Sequence, residues 1–199
     1  MGDESTVTSV ARAPHPARAT VPGGRSEPRR VPSGGRSVPV DESRFRHVLG
    51  HFASGVTVIT APQGEGAAGP AGFTCQSFAA LSLEPPMVTF LVARTSTTWP
   101  RIADAGVFCV NILTSDQGEL CRGFARRGVD KFAGVEWDPG RATGSPMLRG
   151  ALAWIDCTID AVHPGGDHHI VTGRVHHLAA APHGTPLLFY CGSFGSFSA

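Results

Sequence analysis

Lysine is almost absent from this chain. Lys131 stands alone, and every other basic residue is arginine. Charge of either sign is scarce, and the formal net charge is +1. Residues 41–199 hold eleven basic and thirteen acidic side chains, with no basic stripe, so nucleic acid is excluded as the main ligand. No apolar run approaches the roughly 18 residues that span a bilayer, so no membrane segment is expected. The five cysteines (Cys75, Cys109, Cys121, Cys157, Cys191) are odd in number, widely spaced and free of any Cys-x-x-Cys. That pattern excludes a disulfide framework and fits reduced thiols in a cytoplasmic protein. No Gly-x-Ser-x-Gly and no Walker-type loop occurs, so neither acyl transfer nor a P-loop has support. The first forty residues lack Phe, Trp and Tyr, hold six of the sixteen prolines and carry six Arg against three acids. Such a segment buries too little apolar surface to offset chain entropy. We therefore expect a disordered arm over 1–40, without an export signal, and a body over 41–199.

What is present in the body reads as alternating helices and short strands. Phe45, Val48, Leu49 and Phe52 follow the spacing of one buried helical face, predicting a helix over 42–54 with Asp41 or Ser43 as cap and Gly55 as stop. Val56 to Thr60 is β-branched throughout and predicts a strand. Residues 62–70 form a turn, and a second strand begins near Ala71, as in a hairpin. Met87 to Val92 and Phe108 to Leu113 predict strands, and Trp99 to Ala105 and Ser115 to Ala125 predict helices. Leu120 and Phe124 fall on the inner face of the second of these helices. Residues 128–150 read as irregular. Ala151 to Val162, His169 to Leu178 and Pro186 to Cys191 are β-like, with a turn at Pro164-Gly165-Gly166. The sum is an α+β domain, mainly antiparallel, of barrel type.

Four features carry chemistry. The stretch from Gly72 to Pro86 is short of charge, and its polar side is Thr74, Gln76 and Ser77. It reads either as an uncharged ligand face or as a strand whose hydroxyls bond backbone. Thr95 to Thr98 precede a helix start, where free N–H groups attract anions. Lys131 beside Phe132 offers a point charge for a phosphate, or is an ordinary loop lysine. Gly165-Gly166-Asp167-His168-His169 couples a tight turn to an Asp that can orient a His. The six histidines from His163 to His183 suggest a metal site, but His168 and His169 would face opposite sides of a strand, so none is expected.

Taken in order, these runs resemble the flavin reductase-like family of short-chain NAD(P)H:flavin oxidoreductases. The resemblance covers about residues 44–194. It rests on Gly55-Val56-Thr57-Val58-Ile59-Thr60, Gly72-Phe73-Thr74-Cys75-Gln76-Ser77-Phe78, Ser82-Leu83-Glu84-Pro85-Pro86, Phe108 to Leu113, Lys131-Phe132, Gly166-Asp167-His168 and Pro186 to Tyr190. These proteins are reductase components of two-component flavin-dependent monooxygenases. The Cys75-to-Pro86 and Asp130-to-Gly134 runs are similar in particular to reductases that serve an actinobacterial hydroxylase of a secosteroid phenol.

The resemblance implies a split β-barrel of Greek-key type with a few flanking helices, and a homodimer. It implies hydride transfer from NADH, or alternatively NADPH, to FMN or FAD, and delivery of reduced flavin to a separate oxygenase. It places flavin against Gly72, Phe73, Thr74, Gln76 and Ser77, with Leu91, Val92, Ala93, Thr97 and Thr98 at the ribityl and phosphate, and Gly123, Phe124, Lys131 and Phe132 as further contacts. His168 falls beside the nicotinamide, and Phe189, Tyr190, Cys191 and Gly192 fall along the nicotinamide nucleotide. Cys191 stands where a basic or polar residue is the family expectation. Two other readings share the barrel class: a pyridoxamine-phosphate-oxidase-like enzyme and a tight flavin-binding electron carrier.

Overall fold

The structure, a computed structural model, describes residues 40–66 and 69–197. The arm expected over 1–40 lies outside the described residues except for Val40. Asp41 caps α1 (Glu42–Leu49), its Oδ1 accepting from Ser43 N at 3.0 Å. The helix stops at Gly50 rather than near residue 54. Its apolar face is not buried as the spacing suggests: Phe45, Val48, Leu49 and Phe52 are 55%, 57%, 54% and 80% exposed. The periodicity is that of a packed face, but these four side chains stay exposed among the described residues.

The chain then runs through β1 (Ser54–Gly55), β2 (Thr57–Ala61), β3 (Ala71–Cys75), β4 (Phe78–Leu83) and β5 (Pro86–Ala93), then α2 (Trp99–Ala105), β6 (Val107–Ile112) and α3 (Gly118–Ala125). The β7–β8 hairpin (Trp137–Pro139, Pro146–Leu148) is followed by the long pair β9 (Ala153–Gly165) and β10 (His168–Ala180), then β11 (Leu187–Tyr190) and β12 (Ser193–Ser196). The fold is mainly antiparallel β with three helices among the described residues. The seven-stranded sheet has the order β3-β2-β6-β9-β10-β5-β4. Its two edge strands, β3 and β4, are consecutive in the chain, separated only by Gln76 and Ser77. A second sheet joins β1, β11 and β12.

Three differences from the sequence reading have simple causes. Within 128–150, the β7–β8 ladder runs through two prolines, Pro139 and Pro146, so it carries no strand signal. The Pro164-Gly165 pair continues β9, and the turn falls at Gly166 with φ of 68°. β12 is polar and glycine-containing, and only Phe194 marks it. The 62–70 turn also contains a Gly-x-Gly-x-x-Gly spacing from Gly64 to Gly69. It joins two antiparallel strands and opens no helix, so it lacks the context of a dinucleotide loop.

β2 explains why its sequence is apolar on both faces. All five residues are buried. Ile59 packs with Phe90, Phe108 and Val171 on one side of the sheet. Val56 and Val58 pack with Phe124, Leu148 and Leu187 on the other, under α3. Each such side chain contributes about 1.5–3 kcal/mol on burial.

One buried polar group ties three elements together. Asn111 Nδ2 donates to Val58 O (3.1 Å), Thr60 Oγ1 (3.0 Å) and Pro146 O (3.3 Å), and its Oδ1 accepts from Leu148 N at 2.7 Å. Asn111→Leu keeps the volume but leaves the buried Leu148 N–H without its partner and removes the donor shared by Val58 O, Thr60 Oγ1 and Pro146 O. Urea denaturation should register a loss of about 2–4 kcal/mol; a loss within experimental error would show that the network is dispensable.

Candidate functional site

The bend at Gln76–Ser77 decides the shape of the site. Ser77 Oγ accepts from Leu91 N (3.2 Å) and donates to Leu91 O (3.1 Å), which fixes the end of β3 against the end of β5. A cleft of about 510 Å³ opens between these strand ends, the C-terminus of α3 and the β5–α2 connection. Phe73, Thr74, Gln76 and Ser77 line it from β3 and the bend; Leu91, Val92 and Ala93 line it from β5. Thr97, Thr98, Phe124, Lys131 and His168 complete the group that the sequence singled out. In the β10–β5 ladder His168 lies opposite Ala93, which sets it at the rim.

The polar side chains divide into those already engaged and those left free. Thr74 Oγ1 donates to Cys121 O at 2.7 Å, so it anchors β3 to α3. Ser77 is engaged by Leu91. The Gln76 amide has no hydrogen-bond partner among the described residues, and it is exposed. Of the two readings of this stretch, backbone bonding holds for Thr74 and Ser77. Two hydroxyls bond backbone, and one amide is available to a ligand.

The cationic end lies around Lys131. Its Nζ donates to Gly72 O (3.0 Å) and Thr98 Oγ1 (3.2 Å). Phe132 holds the lysine loop by an edge contact with Phe124, centroids 5.0 Å apart, and by its N–H on Asp130 Oδ1 at 3.0 Å. Burial pushes the Lys131 pKa below the usual lysine value, and the Arg101 and Arg127 charges push it further the same way. Like charges gathered without neutralising acids favour an anionic guest.

The helix start does less than its sequence suggests. Trp99 N–H is already given to Ser96 Oγ (3.2 Å), and Pro100 has no N–H. The first positions of α2 therefore offer little to an anion, and the attraction comes from side chains. Ser96, from the hydroxyl run before α2, lines the cleft too, as do Ala125, Arg126 and Arg127, which sequence reasoning missed. The Arg126-Arg127 pair shortly before Lys131 was the one available signal.

At the rim, His168 Nδ1 lies 2.8 Å from Asp167 Oδ1. This hydrogen bond holds the Asp167 carboxyl below the ordinary carboxylate range. An ionised carboxylate only accepts, so Nδ1 carries the proton and Nε2 is the nitrogen left for a ligand. His169 points the other way, toward Trp99 at 6.2 Å, as the strand alternation requires.

Other sequence candidates fall elsewhere. Gly72 and Phe132 line an adjoining cleft. A Cβ on Gly72 would sit 2.7 Å from the Phe124 ring, so only glycine fits there. Gly123 lines neither cleft. Cys191 and Gly192 border a separate cleft with Arg46, His47 and His51. Phe189 packs on Phe194, and Tyr190 meets His51 edge-on. Among the described residues no group of three possible metal ligands converges, and no helix is long and apolar enough to cross a membrane. All five cysteines are free. Burial raises the pKa of Cys75, Cys109, Cys121 and Cys157, the last to about 12, so these thiols are poor nucleophiles.

The donor set thus fits a planar ring with polar edges at the Phe73–Gln76 end and a phosphate at the Lys131 end. Comparison with known proteins identifies the family. The flavin reductase like domain matches residues 49–198. The reductase subunit HsaB of a flavin-dependent monooxygenase from Rhodococcus jostii is 50% identical over 155 residues, covering 78% of this chain and 77% of its own length. A crystal structure of nitrilotriacetate monooxygenase component B from Mycobacterium thermoresistibile shares 48% identity with a TM-score of 0.73, covering 78% of this chain and 86% of that one. The NADH:FAD oxidoreductase SgcE6 of Streptomyces globisporus, in complex with NAD and FAD fragments, shares 35% identity with a TM-score of 0.74, covering 79% and 93% of the two chains. With half of its residues identical to a monooxygenase reductase subunit over most of its length, this chain belongs to the flavin reductase-like family.

Proposed function

We propose that this chain is an NADH:flavin oxidoreductase, the reductase component of a two-component flavin-dependent monooxygenase. One observation carries the reading: a single cleft joins an uncharged floor with a free amide to a cluster of cations, and an oriented histidine stands at its rim. Bound FMN or FAD supplies the hydride-accepting chemistry. The protein's part is to hold two rings at reacting distance and to exclude competing geometry. Phe73 and Val92 would supply apolar contact, and Gln76 would hydrogen-bond the polar ring edge. Thr97 and Thr98 would hold the ribityl chain, and Lys131 the phosphate. His168, oriented by Asp167, would position the nicotinamide, with Phe189 to Gly192 along the rest of the nucleotide. No covalent nucleophile is required, in keeping with the buried thiols.

The finer architecture follows the same reading. The edge strands β3 and β4 are halves of one bent segment, which supports a sheet curved into a split barrel over the 41–199 body. The exposed Phe45, Val48 and Leu49 on α1, with Phe52 just beyond its end, support a homodimer, since a folded chain rarely leaves such a group of large apolar side chains uncovered. Phe52 also borders a small cleft with Gln76 and Phe78, so a second copy would lie next to the flavin floor.

Oxidation of NADH by the purified chain should be stimulated many-fold by FMN or FAD; no response to either flavin would sink the reading. The Lys131 cation is the form that binds phosphate, and its pKa is lowered, so its charge is lost on raising the pH before the ordinary 10.5 is reached. The KM advantage of FMN over riboflavin should therefore shrink between about pH 7 and about pH 10. A constant ratio would remove Lys131 from the phosphate site. His168→Ala should raise KM for NADH about tenfold while leaving flavin affinity within about twofold. A loss confined to flavin binding would contradict its assigned place. Phe52→Asp should convert a dimer to a monomer in light scattering; an unchanged mass, or a monomeric parent, would contradict the interface.

A further inference from the structure

The cleft does not end at Lys131. A second one, of about 490 Å³, opens beyond it and shares Thr97, Thr98, Arg127 and Lys131 with the first. Pro70, Val129 and Phe132 give it an apolar wall, and Val129 is 52% exposed. Arg101 is fixed at its edge, Nη2 donating to Gly69 O (2.6 Å) and Pro70 O (3.2 Å). Arg127 has no hydrogen-bond or ion-pair partner among the described residues. The one carboxylate in the lining, Asp130, is turned to its own loop through Phe132 N–H. Uncompensated positive charge therefore sits at the junction of the two clefts, and apolar surface lies past it.

FMN ends at its single phosphate, which the Lys131 end of the first cleft can accept. FAD continues through a second phosphate to ribose and adenine. A planar guanidinium suits a second phosphate bidentately, and an apolar wall suits a base. We propose that this chain takes FAD in preference to FMN. The second cleft holds the adenosine monophosphate half, and Arg127 reads the pyrophosphate. The inference rests on the first cleft being the flavin site. NADH also carries an adenosine diphosphate, so the same chemistry has a second possible source, and binding must be measured without NADH.

The experiment is isothermal titration of the full chain with FAD, FMN and riboflavin, in the absence of NADH, for the parent, Arg127→Gln and Val129→Asp. Both substitutions are on exposed side chains and should leave folding intact. FAD should bind at least about tenfold more tightly than FMN, and riboflavin most weakly. Arg127→Gln should weaken FAD about tenfold and FMN by no more than about threefold, and Val129→Asp should weaken FAD alone. Equal FAD and FMN affinities in the parent, tighter FMN, or an equal loss for both flavins in Arg127→Gln would overturn the proposal. So would unchanged FAD binding in both variants with a raised KM for NADH, which would assign the second cleft to the nicotinamide nucleotide. Failure of every flavin to bind would instead remove the reading of the first cleft.

Discussion

The hydroxyl of Ser77 is the joint on which the site depends. It both accepts from and donates to the backbone of Leu91, so it replaces a residue's worth of ladder where the strand bends. Each such bond is worth about 0.5–1.5 kcal/mol net, but leaving the Leu91 groups unpaired costs more. The geometric effect is larger than the energetic one. Before the bend, β3 pairs with β2; after it, β4 pairs with β5. The same few residues therefore belong to both edges of the sheet, and the distance between Phe73 and Leu91 is set by a side chain that can give and take one hydrogen bond at once. Alanine and valine can do neither.

That joint explains the division of labour among the polar side chains. Thr74 and Ser77 are occupied by the scaffold, which frees Gln76 by elimination. Lys131 is shared, with two of its protons directed to protein acceptors and the remainder directed outward. The cations at this end face few acids. Their mutual repulsion is a standing cost in the empty protein and is relieved by an anion, so flavin phosphate should stabilise the fold as well as fill the site.

Much of this was legible in the residues. The continuous β-branched run of β2 announced a strand, though not that both of its faces are buried. The span of α2, Trp99–Ala105, matched the helix expected after the Thr95–Thr98 hydroxyls. The uncharged stretch after Gly72 announced a confined polar surface, though not which side chain remained free, because that depends on partners far away in sequence: Cys121 for Thr74, Leu91 for Ser77. Arg127 was hidden for a different reason. In a chain whose basic residues are nearly all arginine, the Arg126-Arg127 pair is a faint signal, and Arg127 stands out only once its lack of a partner among the described residues is seen. The α1 face misled because apolar periodicity marks a face suited to packing and does not say what packs on it.

Binding and release place opposite demands on such a site, and its geometry meets both. A reductase that hands reduced flavin to another protein cannot grip it as a resident cofactor is gripped. Here Lys131, the residue proposed for the phosphate, already satisfies two protein acceptors, so the gain on binding an anion is the difference between two arrangements rather than the full strength of a new ion pair. The helix start behind it is closed by Ser96 and Pro100, which removes a further source of attraction. The floor proposed for the ring holds one free amide. Recognition is thus spread over several contacts of moderate strength, each partly compensated in the empty protein. Such a surface discriminates by shape and charge while keeping the difference between bound and free states small enough for release.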